Sequence, residues 1–105
     1  MGKGAFTIAL VVPNFRWSNW DKNTLWHYIP YNLCLLASMV EKSAEVRIVD
    51  AYKDNLTQNA FEDTLKRYQP DLVGITCLFD QYRECAHIAA KIAKQQGAKV
   101  VMGGV

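Results

Sequence analysis

Short, almost wholly apolar segments alternate along this chain with longer segments of helical period. Residues 6–12 and 72–78 are nearly continuous runs of apolar and β-branched side chains, the pattern of a strand that is covered on both faces of a parallel sheet. Two further strands are predicted at residues 45–49, where Arg47 interrupts the apolar positions, and at residues 99–102. The alternation of strand and helix is typical of βαβ units.

Three helices are predicted between these strands. The first begins near Pro30 and is apolar over most of its circumference, so it needs cover on two sides. The second spans residues 58–68, with acidic residues early and basic residues late, as the helix dipole favours. The expected caps are Thr57 or Asn55 for the start of the second helix, Asp80 for the start of the third and Gly97 for its end.

The polarity of the strands predicts their order in the sheet. The first and third strands are the most apolar and the second is half polar, which places the second at an edge and the first beside the third. We therefore expect an α/β, flavodoxin-like (Rossmann-like) parallel sheet with flanking helices, and a ligand crevice at the carboxyl ends of strands one, three and four. The sequence stops at the paired glycines after the fourth strand, so we expect a single domain, residues 1–105, that is the amino-terminal part of a larger protein.

Composition excludes several classes of function. The 105 residues carry a formal charge of +2, with charged residues scattered singly, which argues against a nucleic-acid partner. The apolar runs are too short to span a bilayer, and the three cysteines lack clustered spacing. We expect a cytoplasmic protein with reduced thiols and no membrane partner.

Residues at the carboxyl ends of the strands are the candidates for chemistry. The loop after the first strand contains no glycine and no acidic pair, which argues against a phosphate-binding loop, a dinucleotide fingerprint or a phosphoacceptor site. This edge instead suits a large planar ligand held by shape and backbone contacts. The candidate binding residues are Asn14, Phe15, Asp50, Thr76, Cys77, Leu78, Gly103, Gly104 and Val105.

An ordered set of motifs along the chain resembles the amino-terminal cobalamin-binding domain of B12-dependent radical SAM enzymes. The resemblance covers essentially the whole chain, and the order and spacing of the motifs carry it. The motifs are Val-Pro-Asn at 12–14, a helix at 28–40, Val-Arg-Ile-Val-Asp-Ala at 46–51, Pro-Asp-Leu-Val-Gly-Ile-Thr at 70–76 and Val-Val-Met-Gly-Gly at 100–104.

The resemblance implies roles for the strand ends. Asn14 and Phe15 would flank the corrin ring, residues 76–78 would face its lower side or its nucleotide tail, and residues 103–104 would leave room for the tail. The chain has no Asp-x-His-x-x-Gly signature, which implies cobalt without a protein histidine below it. Asp50 bonds a ligand hydroxyl or caps the following turn.

The resemblance also assigns the chemistry to another part of the protein. The chain has no Cys-x-x-x-Cys-x-x-Cys run, so a [4Fe-4S] cluster and S-adenosylmethionine would belong to a catalytic domain outside it. The implied reaction is a methyl transfer or a related radical reaction, and this domain would only bind and orient cobalamin.

Two alternatives remain open at the level of sequence. In one, the domain is a flavodoxin-like module that binds a flavin, another nucleotide or a protein partner through the loop that contains Trp17, Trp20 and Trp26. These tryptophans either stack on a planar ring or cover the first helix. In the other, the domain is a scaffold whose exposed fourth-strand edge pairs with a second copy in a homodimer.

Overall fold

The chain folds around one four-stranded parallel sheet. The computed structural model describes residues 6–17, 31–40, 43–76 and 83–103. Within them the strands are β1 (Thr7–Val12), β2 (Glu45–Asp50), β3 (Leu72–Thr76) and β4 (Lys99–Gly103), in the order β2-β1-β3-β4. The helices are α1 (Tyr31–Val40), α2 (Gln58–Tyr68) and α3 (Arg83–Gln95), and a single 3₁₀ turn, Phe15–Trp17, follows β1. The flavodoxin-like order predicted from strand polarity is confirmed.

One face of the sheet packs against α2 and α3. Successive strand residues point to opposite faces, and the buried residues Ala9, Val11, Val73 and Ile75 all belong to one set of alternate positions. They form a single cluster with Phe61 and Leu65 of α2 and with the alanine-rich side of α3, of which the buried residues are Ala86, Ala89, Ala90, Ile92 and Ala93. This cluster is the main hydrophobic core.

Local signals set the ends of α2. Thr57 has extended backbone angles and its Oγ1 accepts a hydrogen bond from the backbone N–H of Ala60 at 3.1 Å, so Thr57 and not Asn55 is the N-cap. The helix ends at Gln69, whose left-handed backbone lets its N–H donate to the Leu65 carbonyl. The predicted bounds of this helix are confirmed. Gly97, the predicted stop after α3, has a φ of +85°, which glycine adopts without strain.

The opposite face of the sheet has much less cover. Of the described helices α1 lies on it, and Cys85 of α3 joins a small buried cluster with Leu10 and Val12. Leu35 and Met39 of α1 are 62% and 71% exposed. These apolar side chains of α1 stay exposed after the helix has packed on the sheet, as expected for a helix that needs cover on two sides. The predicted cap Asp80, the predicted site residues Cys77, Leu78, Gly104 and Val105, and the aromatic residues Trp20 and Trp26 lie outside the described residues.

We expect Thr57→Ala to lower the free energy of unfolding by about 1 kcal/mol, because it removes the oxygen that accepts the Ala60 N–H in the first turn of α2. Urea denaturation followed by circular dichroism measures the change. Thr57→Ser keeps the oxygen and is the matched control; equal losses in the two variants would contradict the cap assigned here.

Candidate functional site

The carboxyl ends of the four strands form one edge of the sheet. The strand register places Val12 opposite Asp50, and Thr76 opposite Gly103. The candidate binding residues Asp50, Thr76 and Gly103, which are far apart in the sequence, therefore lie at the same edge of the sheet. Open parallel sheets bind their ligands at this edge.

Asn14 lies at this edge but its side chain points into the protein. The residue is 2% exposed. Its Nδ2 donates to Asn55 Oδ1 and to the Leu56 carbonyl, both at 3.0 Å, and its Oδ1 accepts from the Arg16 backbone N–H at 3.0 Å. The amide therefore joins the turn after β1 to the loop between β2 and α2. Any contact of Asn14 with a ligand has to come from its backbone.

Trp17 strengthens the same junction. Its Nε1 donates to the Leu56 carbonyl at 2.9 Å, and its ring lies 5.3 Å from the ring of Phe61 with the planes inclined by 55°. Its indole is thus held against the protein by a hydrogen bond and an aromatic contact. Trp17 thus packs against Phe61 of α2, a contact that neither of the sequence-based alternatives, stacking on a ligand ring or covering the first helix, had named. The backbone of Phe15 belongs to the same 3₁₀ turn as Trp17.

Asp50 closes the turn that follows β2. Its Oδ1 accepts from the backbone N–H of Lys53 at 2.9 Å, which is the turn-capping role expected from its position. Burial raises the pKa of this carboxyl above its usual value, against the lowering effect of the Lys53 hydrogen bond. The carboxylate is thus engaged with its own loop.

A groove of about 480 Å³ runs along the sparsely covered face towards the carboxyl edge. Leu35 and Leu36 of α1 form its wall, and its floor consists of side chains and glycines of β1, β3 and β4. The floor residues are Ile8, Leu10, Leu72, Gly74, Ile75, Thr76, Val101 and Gly103.

Two glycines, Gly74 and Gly103, leave the floor of the groove without a side chain at their positions. A Cβ at Gly74 would lie 3.0 Å from Leu10 Cδ2, whereas a Cβ at Gly103 would meet nothing within 4 Å. Beside Gly103 lies Thr76, which is 6% exposed and whose hydroxyl makes no hydrogen bond to the described residues. Among the described residues, the lining of the groove is therefore apolar along its length, with the Thr76 hydroxyl at its end.

A larger depression, about 780 Å³, lies at the opposite end of the sheet, next to Pro70, Asp71 and Lys99. It is beside the amino ends of β3 and β4, whereas parallel sheets present their ligand sites at the carboxyl ends. We take the smaller, more apolar groove as the candidate site.

The described residues offer binding groups and few catalytic groups. No three His, Cys, Asp or Glu side chains among them come close enough to hold a metal ion. His87 is exposed on α3, and Cys34 is exposed while Cys85 is buried. No described helix has the length and apolar character needed to cross a bilayer.

Sequence reasoning missed the partners of Asn14. Arg16 and Asn55, which form hydrogen bonds with its amide, were not among the candidates. Neither was Tyr52, whose carbonyl accepts a hydrogen bond from Arg16. Asn55 has a left-handed φ of 49°, a conformation that asparagine tolerates better than most residues. The sequence shows that an asparagine is present in the loop after β2. It does not show that this asparagine contacts Asn14, because the two residues meet only through the tertiary fold.

Comparisons with known proteins agree with this geometry. The chain is 39% identical over 77 residues to the uncharacterized methyltransferase PH0819 of Pyrococcus horikoshii, a match that takes in 71% of this chain and 17% of that protein. Its fold resembles that of the radical S-adenosylmethionine methyltransferase TsrM from Kitasatospora setae, with a TM-score of 0.68 at 21% identity, over 93% of this chain and 19% of that one. The chain thus spans less than a fifth of either relative's length.

The family comparison covers most of the chain and includes the loop after β2 and the groove residues of α1, β3 and β4, while β1 lies before the matched residues. The B12 binding domain family matches residues 25–105. With its parallel sheet, open carboxyl edge and apolar groove, this chain belongs to the B12-binding domain family.

Proposed function

We propose that this chain binds and orients cobalamin as the amino-terminal domain of a B12-dependent radical SAM enzyme. The observation that carries the proposal is the apolar groove, which opens at the carboxyl edge beside Thr76 and Gly103. Membership of the B12-binding family and the two methyltransferase relatives support it.

The groove suits the nucleotide tail of cobalamin. The tail ends in a flat aromatic base, which needs apolar walls, and Leu35, Leu36 and Val101 provide them. The low floor at Gly74 and Gly103 leaves room for its thickness. The Thr76 hydroxyl, which has no acceptor or donor among the described residues, would bond a polar group of the tail.

The corrin ring would lie over the carboxyl edge itself. There the backbone of Asn14 and Phe15, together with residues 76–78 and 103–105, would contact the ring and its amides. Asp50 would contribute only by shaping the loop beside β1, since its carboxylate is used by Lys53. These contacts position the cofactor and move no proton.

The reaction would take place between this domain and a catalytic domain. Cobalamin supplies the ability to carry a methyl group, while the iron-sulfur cluster and S-adenosylmethionine belong outside this chain. The exposed side of α1, with Leu35 and Met39, would be covered by that catalytic domain, because apolar patches of this kind mark interfaces. The parent enzyme would act in the cytoplasm.

Purified protein incubated with hydroxocobalamin and then freed of unbound ligand by gel filtration should retain the absorption spectrum of a corrin. Flavin mononucleotide is the control ligand and should be lost in the same step. Retention of the flavin with loss of the corrin would contradict the proposal and favour a flavin-binding module.

We expect Gly103→Leu to weaken cobalamin binding about tenfold or more, because the new side chain occupies the groove and overpacking costs about 1–3 kcal/mol. The backbone accepts the change: Gly103 has no left-handed φ and its Cβ has open space around it. Titration followed by absorbance gives the affinity.

The matched control for this variant is Met102→Phe, which adds bulk to the neighbouring residue on the opposite face of β4. Thermal unfolding should show both variants folded. Equal affinities for wild type and Gly103→Leu would place the tail outside the groove.

A further inference from the structure

We propose that Arg16 is a ligand-binding residue of this domain, donating hydrogen bonds to an oxygen atom of bound cobalamin. The acceptor is a carboxamide oxygen of the corrin ring or a phosphate oxygen of the nucleotide tail. The inference rests on the proposed function and adds a charged residue to a site that otherwise consists of apolar, hydroxyl and backbone groups.

One nitrogen of the Arg16 guanidinium is fixed by the protein. Its Nη1 donates to the Tyr52 carbonyl at 3.0 Å, and lies 3.4 Å from Asn14 Oδ1 and 3.5 Å from Asn55 Oδ1. All three acceptors are neutral oxygens in the loops that follow β1 and β2. The side chain is thereby tied to the carboxyl edge.

The plane of the guanidinium is also supported. Its central carbon lies 4.3 Å from the centre of the Tyr52 ring, within the range of a cation–π contact. Tyr52 is itself only 4% exposed, so the ring is a rigid support. Arg16 therefore has a defined direction although it is an exposed residue.

The positive charge of Arg16 has no carboxylate partner among the described residues. Arg47 differs in this respect, since its Nη2 lies 2.8 Å from Glu45 Oε1. The Nε and Nη2 groups of Arg16 also make no hydrogen bond to the part of the chain that the structure describes. Arginine presents its donors in a planar fork that matches oxygen acceptors.

This arrangement is better explained by ligand binding than by stability alone. Holding a long side chain in one geometry costs conformational entropy, and for Arg16 the contacts with the Tyr52 carbonyl and ring meet that cost in the free protein. A side chain that is already fixed loses little further freedom on binding, so its hydrogen bonds add more to affinity.

The position of Arg16 favours the ring over the tail as its partner. Arg16 lies beside the ends of β1 and β2, through its contacts with Asn14 and Tyr52. The groove lies across β1, β3 and β4, on the other side of β1. A ring placed over the edge would bring its peripheral carboxamides towards Arg16 while the tail enters the groove.

The test compares wild type, Arg16→Gln and Arg16→Lys with two ligands, hydroxocobalamin and cobinamide, which keeps the ring carboxamides but lacks the nucleotide tail. We expect Arg16→Gln to weaken hydroxocobalamin binding by about tenfold or more, since hydrogen bonds to charged groups contribute about 1.5–3 kcal/mol. Arg16→Lys keeps the charge but lacks the fork, and should recover only part of the affinity.

The second ligand identifies the acceptor. An equal loss for hydroxocobalamin and cobinamide supports a ring carboxamide, and a loss for hydroxocobalamin alone supports the phosphate. Arg67→Gln is the control for charge, because Arg67 lies in the last turn of α2 and contacts Tyr68. It should leave both affinities unchanged.

A measurement of folding and a second variant distinguish a failure of the Arg16 proposal from a failure of cobalamin binding. Circular dichroism and thermal unfolding must show that Arg16→Gln is folded. Asn55→Gly suits the left-handed backbone at position 55 and removes the Asn55 oxygen near Arg16 Nη1. This folded variant should lose less affinity than Arg16→Gln. Unchanged affinity in folded Arg16→Gln overturns the role of Arg16 while cobalamin binding stands. Failure of wild type to bind either ligand overturns both proposals.

Discussion

The side-chain amide of Asn14 is the contact on which the carboxyl edge of this protein depends. It is almost fully buried and joins the turn after β1 to the loop between β2 and α2 through Asn55 and Leu56. Loss of this amide would remove its hydrogen bonds to Asn55 Oδ1 and to the Leu56 carbonyl, although Trp17 would still donate to that carbonyl. A hydrogen bond of this kind contributes about 0.5–1.5 kcal/mol. The junction holds Arg16 and Trp17 as well, so the turn after β1 and the loop after β2 are joined by several hydrogen bonds without a ligand. Segments that are already ordered lose less entropy on binding.

The two faces of the sheet serve different purposes. The face towards α2 and α3 is closed by tightly packed side chains, with Phe61 and Leu65 fully buried, and it supplies the stability of the domain. The other face is left open along the groove, where Gly74 and Gly103 provide surface without side chains. A site of this kind holds a cofactor by shape and leaves the reactive chemistry to the cofactor and to another domain.

Local patterns in the sequence were enough to predict most of the fold. Helical periodicity placed α2 at its observed bounds with Thr57 or Asn55 as its cap, and the contrast between apolar β1 and half-polar β2 gave the strand order. The arrangement of the candidate site was harder to predict from the sequence. The prediction that Asn14 lies at the carboxyl edge is confirmed, but its inward direction follows from Asn55, a residue far along the chain whose proximity no local pattern encodes. The roles of the candidate residues towards cobalamin stay predictions.

The central position of β1 has a consequence for how the chain acquires its structure. β1 is the first strand in the sequence, yet it pairs with both β2 and β3, and Ile8 stands opposite Leu72 in the register. Closing such large loops before any pairing is gained makes parallel sheets slow to form. During synthesis on the ribosome, β1 therefore emerges before both of its partner strands, as an apolar segment with two unpaired edges. Such segments make incomplete chains prone to aggregation.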